Sequence, residues 1–527
     1  MQTKLDAAKT TAERRKLGQF STPPLLAEEI VFFGIGLVSD DRVRFLDPAI
    51  GTGAFYSALL NLIGKSQIES AKGIEIDRHY AEPAMKLWAD TPISIEVGDF
   101  TALQPEQKYN LIVCNPPYVR HHLIDNKERV RNRTKQFSGV ELSGLAGLYC
   151  HFLLQSVQWM EPDGVAGWLI PSEFMDVNYG KRVKEFLLER VELLLIHRYN
   201  PQDGQFDDAL VSSAVVWLRN RKPKMNGSVV FTYGGTLSSP GITKNISLNE
   251  LRGESKWTRF PEKCARARKE TTVVLGDYFT VKRGIATGNN SFFIMEKSKL
   301  EALDLPREFF RPVVPNSRYL DTDEILADDN GNPKLGVEWF LLDCPLPEHE
   351  IQWKYPKLWE YLSSGKETVA NGCLCRSRKC WYYQEKREAP LFLCTYMGRE
   401  RHNSKQSFRF ILNHSDATYT NCYLALYPKD NMKSFLLERP EMKQSIWSVM
   451  NQIDPQHFID EGRVYGGGLR KLEPAELMSI PVPEIESFIK KNGDSYFNSE
   501  RSVQMNMFES GTLSPDDLNI EKHSLVI

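Results

Sequence analysis

The chain has 527 residues, with Lys plus Arg at 66, Asp plus Glu at 68 and a formal net charge of -2. Hydrophobic residues make up 41% and charged residues 25%, a globular balance that excludes a disordered chain, a collagen-like fibre and a disulfide-held miniprotein. Bulk charge announces no nucleic-acid partner, so any such partner must meet a local basic face.

The first twenty residues hold no apolar stretch of the signal-peptide kind, and the run Ile30 to Val38 is too short to span a bilayer, which takes about 20 residues. A cytoplasmic location is expected, with no membrane association. Ser21, Thr22, Pro23 and Pro24 open a predicted helix over Leu25 to Leu37. Strands are predicted at Val43 to Asp47, Gly73 to Asp77, Ile93 to Val97, Tyr109 to Cys114, Val165 to Ile170, Glu192 to His197 and Val211 to Leu218. Helices are predicted at Gly53 to Ile63, up to Trp88, at Leu145 to Met160 and at Gly180 to Arg190. Strands alternating with helices imply a doubly wound, mostly parallel α/β sheet covered on both faces. Pro, Gly, Ser and Asn become frequent from Lys222 to Pro240, which marks a boundary or a connecting hairpin. Beyond residue 271 the pattern is irregular, with short strands and many aromatics, and the stretch from Asn492 reads as a polar tail. The expected organisation is a first domain over 1–250, a mixed α+β domain over 251–485 and a tail over 486–527. The nine cysteines follow no framework of paired spacings, and Cys373, Cys375, Cys380 and Cys394 lack the paired spacing of a structural zinc site, so no metal is expected.

Ligands of an open parallel sheet bind outside the carboxyl ends of its strands. Four polar motifs fall there in succession: FLDPAIGTGAF with Asp47, Gly51 and Gly53; GIEID with Glu75 and Asp77; EVGDF with Asp99 and Phe100; and LIVCNPPY with Asn115 to Tyr118. Neither a full dinucleotide fingerprint nor a Walker loop is present, so pyrophosphate is not the indicated ligand. In NPPY, a residue before proline is held extended and proline cannot extend a ladder. The strand must therefore stop there and present the Asn115 amide and the Pro116 carbonyl rigidly, with Tyr118 beside them.

With these residues the first half resembles the S-adenosylmethionine-dependent DNA adenine-N6 methyltransferases of restriction–modification systems, in the gamma-class order of cofactor motif, catalytic motif, then C-terminal target recognition domain. The resemblance implies a Rossmann-like methyltransferase sheet. It implies cofactor contacts from Gln19, Phe20, Ser21, Thr22 and Pro23, from Asp47, Pro48, Ala49, Gly51, Thr52, Gly53 and Phe55, from Glu75 at the ribose and Ile76 at the adenine ring, and from Asp99 and Phe100. It implies a catalytic set of Asn115, Pro116, Pro117 and Tyr118, with Phe206 supporting a flipped base. Ile50 departs from the small or Cys residue often found at its position. VKRGIATGNNSFFI at 281–294 and YGGGLRKLEPAELMSIPVP at 465–483 resemble the start and close of target recognition domains.

Two basic runs suit the implied partner, duplex DNA. Arg120 to Lys135 carries six Lys/Arg against two acids, and Cys373 to Lys405 carries eight against three, interleaved with Trp381, Tyr382, Tyr383 and Tyr396. Candidate DNA contacts are Arg120, His121, Arg376, Arg378, Lys379 and Trp381. A cognate restriction endonuclease acting on the same site is a second expected partner. A fused nuclease is not expected, because the cofactor segment begins by Gly18 and no PD…ExK pattern follows. The rival readings are an NPPY methyltransferase acting on protein glutamine or ribosomal RNA, and a catalytically silent DNA-binding subunit.

Overall fold

The strands predicted at Val43–Asp47 (β1), Ile93–Val97 (β3) and Tyr109–Cys114 (β4) form with those bounds in the computed structural model, which describes residues 1–200, 212–261, 273–399, 407–465 and 469–492. Between and beyond them lie Ile68–Glu75 (β2), Met160–Pro171 (β5), Glu192–Arg198 (β6), Ser213–Arg219 (β7), Ser228–Gly235 (β8) and Pro240–Ser247 (β9). The described strands order as β3-β2-β1-β4-β5-β7-β6-β8-β9. The neighbours from β3 through β5 pair in parallel, β7 runs antiparallel between β5 and β6, β8 is parallel to β6, and β9 returns antiparallel. The segment read as a boundary or hairpin is therefore a hairpin, and it extends the same sheet.

Two strands begin earlier than the sequence suggested. β2 starts at Ile68 because its polar residues have partners: Lys72 pairs with Glu96 at 2.7 Å and lies 5.9 Å from the Trp159 ring centre. β5 starts at Met160, with Glu161 bound to the Arg44 guanidinium at 2.5 Å.

Helices cover both faces. Pro24–Ile35 (α3), with proline at its first turn, and Ala54–Ile63 (α4) pack on Phe45, Leu111, Val113, Leu169 and Val215. Leu148–Gln155 (α7) and Gly180–Glu189 (α8) pack on the alternate residues Leu46, Ile112, Ala166, Trp168 and Val216. That alternation is the period of two of a strand buried on both sides. Gln2–Ala7 (α1), Thr11–Lys16 (α2), Arg78–Leu87 (α5), Lys127–Ser138 (α6) and Leu248–Gly253 (α9) are the other α-helices among the described residues of this unit.

The described residues divide into two compact units, the first made of those in 1–261 with 464–465 and the second of those in 273–463 with 469–492. The second is α+β. Its larger sheet orders Phe279–Arg283, Tyr423–Pro428, Phe392–Thr395, Phe410–Asn413 and Glu324–Ile325, and a smaller one orders Ile294–Glu296, Trp339–Leu342 and Phe310–Pro312. The segment read as a tail from 486 is helical as far as Asn492, in a helix that begins at Pro483, because Ile485 and Ile489 turn into the core of this unit. Among the described residues no helix is long and apolar enough to cross a membrane.

Candidate active site

The strand order reverses between β1 and β4, which brings the carboxyl ends of β3, β2, β1 and β4 side by side. At the end of β1, Asp47 is 1% exposed and accepts the Ala49 N–H at 3.1 Å. The chain then turns through Gly51 at φ +55° and Gly53 at φ +94° into α4. Nothing lies within 4 Å of where a Gly51 Cβ would stand, so the backbone there faces a space that a ligand can fill. Ile50 is buried against Gly73 of β2, where its bulk is core packing. Glu75 joins the two strand ends: its Oε2 accepts the Gly51 N–H at 3.0 Å and its Oε1 the Asp77 N–H at 2.9 Å. Each carboxylate oxygen keeps a lone pair for a ligand hydroxyl. Ile76, beside it, is 64% exposed. Open glycine backbone, a buried acid and a bare apolar side chain fit a nucleoside-bearing cofactor.

Burial, aided by the charge of Glu75, pushes the Asp47 carboxyl up to about 8. An acid whose folded pKa is raised holds its proton while the unfolded chain has released it, so stability falls as pH rises from about 4 towards 8. Asp47→Asn keeps an acceptor for the Ala49 N–H and cannot ionise. It is expected to remove this slope and to exceed the wild type in stability at pH 8 by a few kcal/mol, on the order of 1.4 kcal/mol per pKa unit. Urea unfolding across that range measures it, and parallel curves for the two proteins would contradict the assignment.

At the end of β4 the NPPY segment is gripped by the chain's N-terminal stretch. Asn115 Nδ2 donates to the Phe20 carbonyl at 2.9 Å and to Thr22 Oγ1 at 3.1 Å. Both amide donors are thereby used, which fixes the orientation of the amide. Its Oδ1 is buried and has no hydrogen-bond partner. A buried acceptor without a partner is costly, so this one calls for a water, an ion or a ligand to complete it. Tyr118 is half-buried, its hydroxyl donating to the Leu169 carbonyl at 3.0 Å and its ring 5.6 Å from that of Phe20. Gly18, at φ +65°, accepts from the Tyr118 N–H at 3.1 Å, and a Cβ there would lie 2.5 Å from Tyr118 N. Gly18→Ala combines strain with a backbone clash, and a melting-temperature loss equivalent to about 2 kcal/mol or more is expected.

Other expected residues are placed differently. Phe100 is 1% exposed and packs on Phe152 and Trp159 at 4.9 and 5.4 Å, a ring held in the core of the sheet's α7 face. Phe55, at 2% exposed, is likewise core beneath the glycine turn. Asp99 caps its own turn through Thr101 and faces Arg129 at 3.4 Å. Gln19 donates to Asp77 Oδ2 at 2.8 Å. Phe206 lies outside the described residues. Of the six Lys and Arg in the basic run after NPPY, three pair with acids among the described residues: Arg129 with Asp99, Arg131 with Glu128 and Glu141, and Lys135 with Glu141. Arg120 is exposed, while burial and the charges of Lys127, His122 and Arg120 hold His121 below the ordinary imidazole range. In the second unit Arg376 and Lys379 are exposed. Arg378 instead donates to the carbonyls of Ala286 and Thr287 at 2.5 and 3.0 Å, and Trp381 packs among Phe292, Phe293 and Tyr382. Both side chains are thus engaged within the second unit. Among the described residues no three His, Cys, Asp or Glu side chains gather as a metal site.

The family model of the Eco57I restriction-modification methylase matches residues 59–204, and that of the Type II methyltransferase M.Eco57I C-terminal domain matches residues 262–509. The chain belongs to the restriction–modification DNA methyltransferases. Its cofactor is S-adenosylmethionine. It is 25% identical over 504 residues to the Type II methyltransferase M.AccI of Acinetobacter calcoaceticus, covering 92% of this chain and 88% of that one. It is 26% identical over 457 residues to M.XamI of Xanthomonas campestris pv. amaranthicola, covering 84% and 81%. A solved DrdV–DNA complex aligns with a TM-score of 0.49 at 13% identity, over 87% of this chain and 54% of that one.

Proposed function

We propose that this methyltransferase methylates the N6 amino group of an adenine flipped out of duplex DNA, protecting one sequence from a cognate endonuclease. The observation that carries this reading is the buried, unpartnered Oδ1 of Asn115 at the end of β4. An exocyclic amino nitrogen is a poor nucleophile because its lone pair is delocalised into the ring. Asn115 Oδ1 and the Pro116 carbonyl together would accept its two N–H groups, favouring a pyramidal nitrogen with a localised lone pair. The two prolines hold these acceptors in place before substrate arrives, so positioning and electrostatics do the work. S-adenosylmethionine, when bound, supplies a sulfonium methyl as electrophile. Gly51, Thr52, Glu75 and Ile76 would hold its adenosine, and the segment from Gln19 to Pro23 its methionine end. Tyr118 would stack on the extruded base, an interaction of roughly 1–3 kcal/mol that offsets part of the cost of unstacking it.

The second unit would read the sequence, with Arg376 and Lys379 at the phosphates. Reversing both charges is expected to weaken DNA binding and to lower its salt dependence by close to one log–log unit per lost contact. Arg378→Ala should act differently, destabilising the protein by about 1–3 kcal/mol because the carbonyls of Ala286, Thr287 and Trp381 lose its guanidinium. Thermal unfolding and salt-dependent DNA titration separate the two effects. Incubation with methyl-labelled S-adenosylmethionine and a mixture of duplex DNA, RNA and protein tests the substrate class, and label confined to protein or RNA would overturn the proposal.

A further inference from the structure

Residues 2–9 are latched onto the elements that frame the cofactor space. Thr52 of the glycine turn donates its hydroxyl to Gln2 Oε1, and Gln2 Nε2 donates to Asp6 at 2.8 Å. Asp6 also accepts the Tyr80 hydroxyl at 2.9 Å, and the Leu5 carbonyl lies 2.9 Å from His79 Nε2. Lys9 forms an ion pair with Asp77, hydrogen bonds to Gln19 Oε1 at 3.2 Å and sits 4.9 Å from the Tyr80 ring centre. Only 17% of the Lys9 and Asp77 side chains is exposed. The partners are therefore the glycine turn, the residue two beyond Glu75, the first turn of α5 and the start of the segment that grips Asn115.

A helix of six residues has no stability of its own in water. α1 therefore holds its place through these contacts, and losing them would release it. Nearly all of the latch is polar or ionic, and such contacts exchange more readily than an apolar interface. We propose that residues 2–9 are a strap forming an outer wall of the S-adenosylmethionine site, with Lys9 as the positioning residue that ties it to Asp77 and Gln19. Release of the strap would then precede exchange of the cofactor. This inference rests on the assignment of the cofactor space to the ends of β1 and β2.

The test is the release rate of radiolabelled S-adenosylmethionine from the full-length protein, chased with excess unlabelled cofactor. Lys9→Ala is expected to raise that rate roughly tenfold, as loss of a charged hydrogen-bonded contact would, with Lys9→Arg restoring much of it. Tyr80→Phe, which removes only the hydroxyl that holds Asp6, should raise it by a smaller factor. Thermal unfolding of the cofactor-free protein should change little, whereas a merely structural latch would shift unfolding and leave release alone. Unchanged release in Lys9→Ala and Tyr80→Phe, with a wild type that binds cofactor, overturns the strap. A wild type unable to bind S-adenosylmethionine overturns the cofactor assignment and the strap with it.

Discussion

Asn115→Ala is expected to reduce methyl transfer roughly 10²- to 10³-fold, the cost of removing one preorganised group that acts on the reacting atoms. Its Oδ1 has no other task, being buried without a partner. Its Nδ2 does have one, holding the Phe20 carbonyl and Thr22. Alanine therefore also loosens the stretch over NPPY, and calorimetry with S-adenosylmethionine is needed beside the activity measurement. The expected pattern is cofactor affinity within a few-fold of wild type and a collapse in single-turnover rate. A variant with near-normal turnover would sink the mechanism.

Glu75→Ala is expected to weaken cofactor affinity by one to two decades. The N–H groups of Gly51 and Asp77 would lose their acceptor in a site where Glu75 itself is 8% exposed. In addition a ligand hydroxyl left unpaired in that buried site costs about 1–3 kcal/mol, and 1.4 kcal/mol is one decade of affinity. The glycine turn would lose its tie to β2, so a lower melting temperature should accompany the weaker binding. Glu75→Gln, keeping one acceptor, should fall between alanine and wild type. Unchanged calorimetric affinity in the alanine variant would place the ligand's hydroxyls elsewhere.

The four carboxyl strand ends were legible because the sheet leaves each strand in a fixed place. Val43–Asp47 and Tyr109–Cys114 are short, mostly apolar runs, interrupted only by Arg44 and Asn110, that lead into polar residues, which sets both their bounds and their bearing on the site. What the sequence concealed depends on distant partners. Glu75 was legible as an acid at a strand end, but not as the acceptor joining Gly51 to Asp77. Phe100 follows an acid in a motif that implied contact with a ligand, yet its ring belongs to the Phe152 and Trp159 cluster, which forms only when α7 packs on the sheet. Arg378 stands in a basic run that suggested phosphate contact, and only the turn at Ala286 and Thr287, some ninety positions away, shows its use. Lys9 carried no signal at all, since its partner Asp77 is 68 residues distant. Local charge density marks a solvated face and a spent guanidinium alike, and tertiary contact separates them.

The central claim is that Asn115 and Pro116 act on the amino group of an adenine in DNA. Its most direct measurement is nucleoside analysis of unmethylated duplex DNA after incubation with the protein and methyl-labelled S-adenosylmethionine. N6-methyladenine, confined to one sequence and lost in Asn115→Ala, is the result expected. Label in methylcytosine, or label in N6-methyladenine that persists in Asn115→Ala, would contradict it.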